Sequence, residues 1–592
     1  PGRNYVYFTF RSDFRNKQRR CTVSLRLRTI ELFFSTSPNI CVVCAQTLFD
    51  QLLVELYCCN IAWIFEECDM KVALSPMEFA KRARRLYSQK EAVVDGNLRF
   101  TYEQFFTRCD KWSAALQNMG IAHGDRVAYI APNTHTHLEG YYAVPQMGAV
   151  LVPINYRLSA DDFEYILNHC GAKIVCVHPD YFDAVDGIRD KLASVKTFIA
   201  LEGEKAGWQE YEKLIENENG TFRKNKIEED DLLTINYTSG TTARPKGVMI
   251  THRNAYMNIM GTLVHHHLTP NDRYLWTLPM FHANGWTFTW INTARGMAHI
   301  CLRKVEPELI YKLIKDEKIT MFCAAPTVLI SITNAPERIR ADAPKGVRLF
   351  TAGAPPAAAT IEVVERDLGW ELTHVYGLTE TTPLIAICEP LPSHSNLSVE
   401  ELAKIKARQG VELVSSGELR VVDDDGNEVP KDGKTLGEIS VQGNVVMTGY
   451  YNDPEATAAA IKDGWFYSGD AAVVHPDGYL EIRDRFKDVI ISGGENISSV
   501  EVEGCLLHHT AVMEVAVVGM PHDKWGEAPH AFVVLQDGGS ATEDELKLHV
   551  RENLAHFKTP QWISFVNDLP KTATGKVQKF VLRDGKAAIS TQ

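Results

Sequence analysis

The stretch Thr234-Ile235-Asn236-Tyr237-Thr238-Ser239-Gly240-Thr241-Thr242-Ala243-Arg244-Pro245-Lys246-Gly247-Val248 organises the reading of this chain. A short apolar run, Leu232 to Tyr237, predicts a buried strand. It empties into a loop dense in hydroxyls and glycine, with a lysine near its end. Val248-Met249-Ile250 then leads to Thr251, a good N-cap for a helix starting at His252. Hydroxyls, free backbone N–H groups and a compact cation suit a polyphosphate, with glycine where the backbone must approach closely. A Walker loop is excluded, because Lys246 is followed by Gly247 and not by Ser or Thr. The plainer alternative is a solvated Ser/Thr/Gly turn. The position of the run, directly after an apolar strand, favours the phosphate loop.

The run resembles the loop of the adenylate-forming enzymes: acyl-CoA synthetases, peptide-synthetase adenylation domains and firefly-type luciferases. It departs at Ala243, where the common form has glycine. The resemblance implies that Thr238, Ser239, Gly240, Thr241, Thr242 and Lys246 hold the phosphates of ATP.

With 592 residues the chain should hold more than one domain. An apolar fraction of 45% and a charged fraction of 23% are those of an ordinary globular protein. The net charge of −13 argues against nucleic acid as a partner, since a phosphate backbone needs a basic face. Residues 70–592 contain no apolar run long enough to span a bilayer. Six of the thirteen cysteines precede residue 70, and the rest show no metal-ligand spacing, a reducing-compartment pattern. Residues 1–69 read unlike the rest: position 1 is not Met, and the opening is rich in arginine. A transit peptide is one reading. The favoured one is an atypical extension outside the fold, with the functional chain starting near Met70.

From Ser75 the pattern becomes regular. Ser75-Pro76-Met77-Glu78 predicts a helix start. Strands are predicted at 126–131, 149–154, 173–178 and 197–201, then at 274–278, 300–303, 321–325, 347–351 and 371–375, with helical stretches between the earlier ones. Such alternation predicts an α/β fold with mostly parallel sheets and ligands at the carboxyl ends of the strands. Residues 391–408 read as a polar connection. Short strands after Gly417 predict a β subdomain, about 412–484. The expected organisation is a large N-terminal domain, 70–484, of layered sheets and helices, followed by a smaller, mobile α+β domain, 485–592. A capping box at Thr542 and Glu545 marks one helix of the latter.

Four further segments narrow the chemistry. Val375-Tyr376-Gly377-Leu378-Thr379-Glu380-Thr381 follows a predicted strand. An aromatic can stack on a base, a hydroxyl can bond a phosphate, and a carboxylate can hold Mg2+. The resemblance implies Tyr376, with Gly377, at the adenine, Thr379 near the α-phosphate and Glu380 on the metal with Thr238. Asp470 follows Ser468-Gly469, and a carboxylate suits the two ribose hydroxyls. The resemblance assigns it there with Arg485. It also implies a hinge at Lys487 and places the pantetheine arm of CoA at Gly493 and Gly494. Leu569-Pro570-Lys571-Thr572-Ala573-Thr574-Gly575-Lys576 is a loop framed by Pro and Gly. The resemblance makes Lys576 catalytic, with Lys571 and Lys579 its nearest competitors. The run His265-His266-His267 reads as a helix end in preference to a metal site, because adjacent histidines point in different directions.

The expected reaction has two halves. A carboxylic acid attacks the α-phosphorus of Mg·ATP and pyrophosphate leaves. The small domain then turns, and the thiol of CoA attacks the acyl-adenylate, releasing AMP. Pro279 to Trp286 resembles a segment flanking an acyl site, so His282 and Trp286 are acyl-site candidates. Trp286 reads equally well as core. Gly353 and Ala354 add small side chains near the nucleotide end, leaving space for an apolar chain. The absence of a cation for a second acid group favours an unbranched short- or medium-chain fatty acid, with an aryl acid as runner-up. An enzyme loading a carrier protein in trans, a luciferase-like oxygenase and an inactive ATP-binding protein remain as alternatives. The C-terminal residues 589–592 do not form a peroxisomal tail, so cytoplasm is the default. Oligomeric state is unreadable.

Overall fold

A computed structural model describes residues 70–238, 244–493, 495–536, 538–571 and 577–585, with the backbone of Tyr7–Phe8 and Val23–Ser24. The chain divides into two compact units, Pro1–Val72 and Ala73–Gln592. In the first, Tyr7–Phe8 pairs antiparallel with Val23–Ser24. The expected atypical extension lies almost wholly outside the described residues.

The second unit is α/β, with a large N-terminal domain and a smaller C-terminal one. The larger carries two long sheets. One runs Gly449–Tyr450, Lys246–Thr251, Leu232–Thr238, Val150–Ile154, Arg126–Ile130, Ile174–Val177, Thr197–Ala200 and Gln209–Glu210. Its strands are parallel from Leu232–Thr238 onward, and the two at the other edge are antiparallel. The other sheet has nine strands, parallel from Glu371–Gly377 across to Glu91–Asp95, with antiparallel strands at both edges.

A layer of helices lies between the two sheets and shares one core with both. Val127, Leu151 and Leu233 of the first sheet join Tyr274, Met321 and Phe350 of the second in a single apolar cluster. All nine residues of the His135–Ala143 helix are buried, so it has no solvent face. Its tyrosine hydroxyls are satisfied internally: Tyr141 donates to the Met280 carbonyl and Tyr142 to Thr293 Oγ1, each at 2.6 Å.

A third, antiparallel sheet contains Glu418–Val422, Gly437–Gln442, Trp465–Val474 and Leu480–Arg485, the expected small β subdomain. The C-terminal domain is built on a sheet whose longest pair, Val512–His522 and Gly526–Leu535, forms an antiparallel hairpin. The Ser499–Leu507 and Glu543–Asn553 helices pack on one apolar cluster of this sheet, and Lys579–Arg583 on a second. Thr542 and Glu545 form the expected capping box.

Two expectations are corrected. The strand expected at 300–303 lies at Ala298–Ile300, since Gly296 caps the preceding helix and the chain extends immediately afterwards. Residues 391–408, read as a polar connection without strong periodicity, contain a helix at Val399–Lys406. Its Ser398–Glu401 capping box supplies the start signal, and four of its eight residues are apolar, although Ala403 alone of them is buried.

Candidate functional site

The Leu232–Thr238 and Lys246–Thr251 strands pair antiparallel in a register that sets Thr238 opposite Lys246. The two ends of the loop expected to hold phosphates are therefore clamped together across the sheet. Ser239, Gly240, Thr241 and Thr242 lie outside the described residues. Past the second strand, Thr251 accepts from the Asn254 N–H and completes a capping box for the His252–His265 helix.

Tyr376 and Gly377 end the Glu371–Gly377 strand, and Thr379 and Glu380 form the tight turn that follows. Gly377 is required by close approach: a Cβ there would sit 1.8 Å from the Pro383 carbonyl oxygen. Thr381 fixes the turn, accepting from the Leu378 N–H at 2.9 Å and donating to the Pro383 carbonyl at 2.5 Å.

Tyr376, Asp470 and Arg485 come together although they are distant in sequence. The Tyr376 hydroxyl donates to Asp470 Oδ2 at 2.6 Å, and Arg485 Nε pairs with Asp470 Oδ1 at 2.5 Å. Asp470 and Arg485 are direct cross-strand partners, so the hairpin between them creates the ion pair. Burial disfavours charge on Arg485, but Asp470 and Glu380 outweigh it and hold the guanidinium protonated. Burial and Asp470 together push the Tyr376 phenol well above its usual range, so it stays a donor.

Glu380 belongs to a second cluster. Its Oε1 accepts from the Tyr450 hydroxyl at 2.9 Å, and Lys246 Nζ lies 4.9 Å from the Tyr450 ring centroid. Tyr450 was missed in the sequence, where no local motif sets it apart and its partners lie 70 and 204 positions away. Glu380 offers a hard carboxylate oxygen, and among the described residues its Oε2 accepts no hydrogen bond. That donor chemistry fits Mg2+.

The acyl candidates divide. Trp286 is 4% exposed and joins the central core, whereas Gly353 and Ala354 are exposed. His282 is half-buried and precedes the short Ala283–Trp286 turn. A Cβ at Gly285 would meet the Trp276 ring at 2.5 Å, so this turn packs directly on core indole.

In the C-terminal domain, Gly493 adopts φ +61° and donates its N–H to the Trp525 carbonyl at 2.8 Å. Gly494 and Lys576 lie outside the described residues. The two competing lysines are committed elsewhere. Lys571 pairs with Glu514 at 2.6 Å, and half-buried Lys579 pairs with Glu503 at 2.8 Å. Lys487 is exposed, its ammonium disfavoured by partial burial and by Arg485 and Arg583, with Asp488 opposing them. Ser499 donates its N–H to Asp484 at 2.8 Å, and Arg583 pairs with Asp488 at 2.6 Å, so ion pairs and hydrogen bonds flank Lys487. The histidine run ends its helix as expected: His265 is the last helical residue, and buried His266 packs edge-on against Phe350.

Known proteins resemble the chain over most of its length. The AMP-binding enzyme pattern matches residues 79–451, and the AMP-binding enzyme C-terminal domain matches residues 501–576. A 4-hydroxybutyrate–CoA ligase of Metallosphaera sedula is 43% identical over 524 residues, covering 86% of this chain and 94% of that protein. A peroxisomal trans-cinnamate:CoA ligase of Petunia hybrida is 38% identical over 536 residues, covering 87% and 94%. The ATP-bound structure of MatB from Rhodopseudomonas palustris aligns with a TM-score of 0.75 and 26% identity, covering 86% and 99%. With both parts of the family pattern in order, and the phosphate-loop hairpin beside two polar clusters, the chain belongs to the AMP-binding, adenylate-forming enzyme family.

Proposed function

We propose that this chain is an AMP-forming acid–thiol ligase, which converts a carboxylic acid to its CoA thioester through an acyl-adenylate. The observation that carries the reading is the pairing of the two clusters beside the Thr238–Lys246 clamp. Tyr376, Asp470 and Arg485 form a preset nucleoside-recognition group, and Glu380 sits within reach of the lysine strand through Tyr450.

A carboxylate is a poor acyl donor because its leaving group would be oxide. Attack of the carboxylate oxygen on the α-phosphorus forms a new P–O bond and expels pyrophosphate. Thr238, Ser239, Gly240, Thr241, Thr242 and Lys246 hold the phosphates, and Thr379 approaches the transferring one. Mg2+ held by Glu380 and Thr238 would supply charge neutralisation on the phosphates. Tyr376 and Gly377 border the adenine, and Asp470 still has lone pairs to accept from the ribose hydroxyls. Lys576 stabilises the developing charge, a reading supported by the commitment of Lys571 and Lys579 to ion pairs. The small domain, 485–592, then turns about Lys487. The CoA thiol attacks the acyl carbonyl past Gly493 and Gly494, its proton is lost, and AMP leaves.

For the acid we favour a compact acyl group, short aliphatic or aryl, over a long fatty chain. Trp286 and Trp276 fill space beside the His282 segment, and the relatives are named for 4-hydroxybutyrate and trans-cinnamate. Gly353 and Ala354 are small and exposed, and a Cβ at Gly353 would meet nothing within 4 Å. No helix among the described residues is long and apolar enough to cross a membrane. We assign the enzyme to the cytoplasm, although the Petunia relative is named peroxisomal.

Acid-dependent ATP–pyrophosphate exchange, with acids from acetate to long-chain and aryl, tests the first half-reaction. CoA added afterwards tests the second. Exchange with thioester formation is expected for compact acids. Exchange without thioester would point to carrier loading or oxygenation. No exchange with any acid would leave an inactive nucleotide binder.

A further inference from the structure

Tyr450 has a place in the site that the proposed mechanism does not use. It lies on the two-residue edge strand Gly449–Tyr450, beside Lys246–Thr251. Val248 is its direct partner, so Lys246, two residues away on the same face, is its diagonal neighbour. That register explains why the Lys246 ammonium reaches the Tyr450 ring at 4.9 Å from the centroid. The backbone on either side is locked. The Tyr450 N–H donates to Thr457 Oγ1 at 2.9 Å, and the Tyr451 N–H donates to the Gly247 carbonyl at 2.7 Å. Tyr450 is 9% exposed, which leaves its ring little freedom.

The same short segment holds Glu380 at two points. The Met447 N–H donates to the Glu380 carbonyl at 2.8 Å, and the Tyr450 hydroxyl donates to Glu380 Oε1 at 2.9 Å. One side chain therefore touches both the lysine of the phosphate loop and the carboxylate suited to a hard cation.

We propose that Tyr450 is a positioning residue that sets Lys246 and Glu380 relative to one another, through its ring and its hydroxyl respectively. The inference rests on the reading of Glu380 as the carboxylate for Mg2+. By donating to Oε1, the hydroxyl fixes the carboxylate plane and leaves Oε2 to the cation. A partner in this outer position carries a share of metal affinity. The ring keeps the ammonium on the phosphate side of the sheet edge without neutralising it, as an acidic partner would.

The test compares the full-length protein with Tyr450→Phe, Tyr450→Leu and Glu380→Gln. Mn2+ binding is followed by electron paramagnetic resonance in the presence of an ATP analogue with a non-hydrolysable α–β bridge. Binding of the same analogue without metal and the melting temperature are measured in parallel. Tyr450→Phe keeps the ring and should weaken Mn2+ by about tenfold, with metal-free analogue binding unchanged. Tyr450→Leu should show the same metal loss and, in addition, about threefold weaker metal-free binding. Loss of Mn2+ affinity in Glu380→Gln but not in Tyr450→Phe would overturn the positioning role and leave the metal reading standing. Unchanged Mn2+ affinity in Glu380→Gln would overturn the metal reading itself. A parallel fall of melting temperature and both affinities in the two Tyr450 variants would mark Tyr450 as structural only and also overturn the proposal.

Discussion

At the scale of single residues, the site depends on contacts that tolerate little change. Gly377 has a backbone carbonyl where a side chain would begin, 1.8 Å from its would-be Cβ. Gly377→Ala must displace the Pro383 segment or the end of the Tyr376 strand. A destabilisation of about 2 kcal/mol or more is expected, in the range of overpacked positions. Chemical denaturation measures it, and adenylation should fall with it because Tyr376 and Glu380 flank the glycine. Asp470→Asn is a different case. The amide preserves shape and can still accept from Tyr376, but it loses its charge against Arg485, whose side chain is 30% exposed. Partial solvent screening limits the stability cost to about 1 kcal/mol. The larger expected effect is a rise of about tenfold in KM for ATP, from weakened ribose hydrogen bonds. An unchanged KM would remove Asp470 from the nucleotide site.

At the scale of elements, the phosphate-loop hairpin is held by pairing on both sides and by the helix it feeds. Thr251→Ala removes the N-cap of His252–His265 and should cost about 1 kcal/mol in a urea titration. The proposed hinge makes a kinetic prediction. Proline at 487 fixes φ near −65° and restricts rotation there. Lys487→Pro should therefore leave pyrophosphate exchange within about threefold of the parent while slowing CoA-thioester formation by about tenfold or more. Equal loss in both half-reactions would argue against a hinge at this residue. Element identity was largely legible in the sequence. The 232–237 run, the Thr251 cap and the Thr542–Glu545 box each act through local chemistry, and each element formed. The Val399–Lys406 helix was passed over although its Ser398–Glu401 capping box and the Val399, Leu402, Ala403 spacing are local signals, because eight residues are a short window for periodicity to decide.

At the scale of the whole molecule, burial of histidine gives the fold a pH signature of two opposite slopes. Burial lowers His299 to about 3, lowers His374 to about 4 against weaker hydrogen bonds to backbone carbonyls, and lowers His266 to about 3 with help from His265 and Arg348. Unfolding returns each toward about 6.5. The unfolded chain then binds more protons below that value, so this contribution is intact above pH 6.5 and is lost as pH falls toward 3 to 4. His135 behaves in the opposite way. Burial works against its charge, but Asp95, Glu212 and Glu139 outweigh it and raise it to about 9. Its contribution is full below pH 6.5 and is lost as pH rises through about 9. Urea midpoints measured from pH 4 to 9.5 should fall on both sides of a maximum, and His135→Gln should flatten the alkaline limb alone.

The sequence by itself determined the fold class, the order of the elements and the family, because strand alternation, caps, turns and motif order are written in local residue chemistry. It pointed to Tyr376, Glu380, Asp470 and Arg485, but it did so through motifs and not through contacts. Tertiary structure decided which of these meet. The Asp470–Arg485 pair follows from hairpin register, and the Tyr376–Asp470 bond joins residues 94 positions apart. Tertiary structure also decided that Trp286 belongs to the core and that Tyr450 stands between Lys246 and Glu380. Such contacts depend on strand order and register across sheets, and no local pattern encodes them.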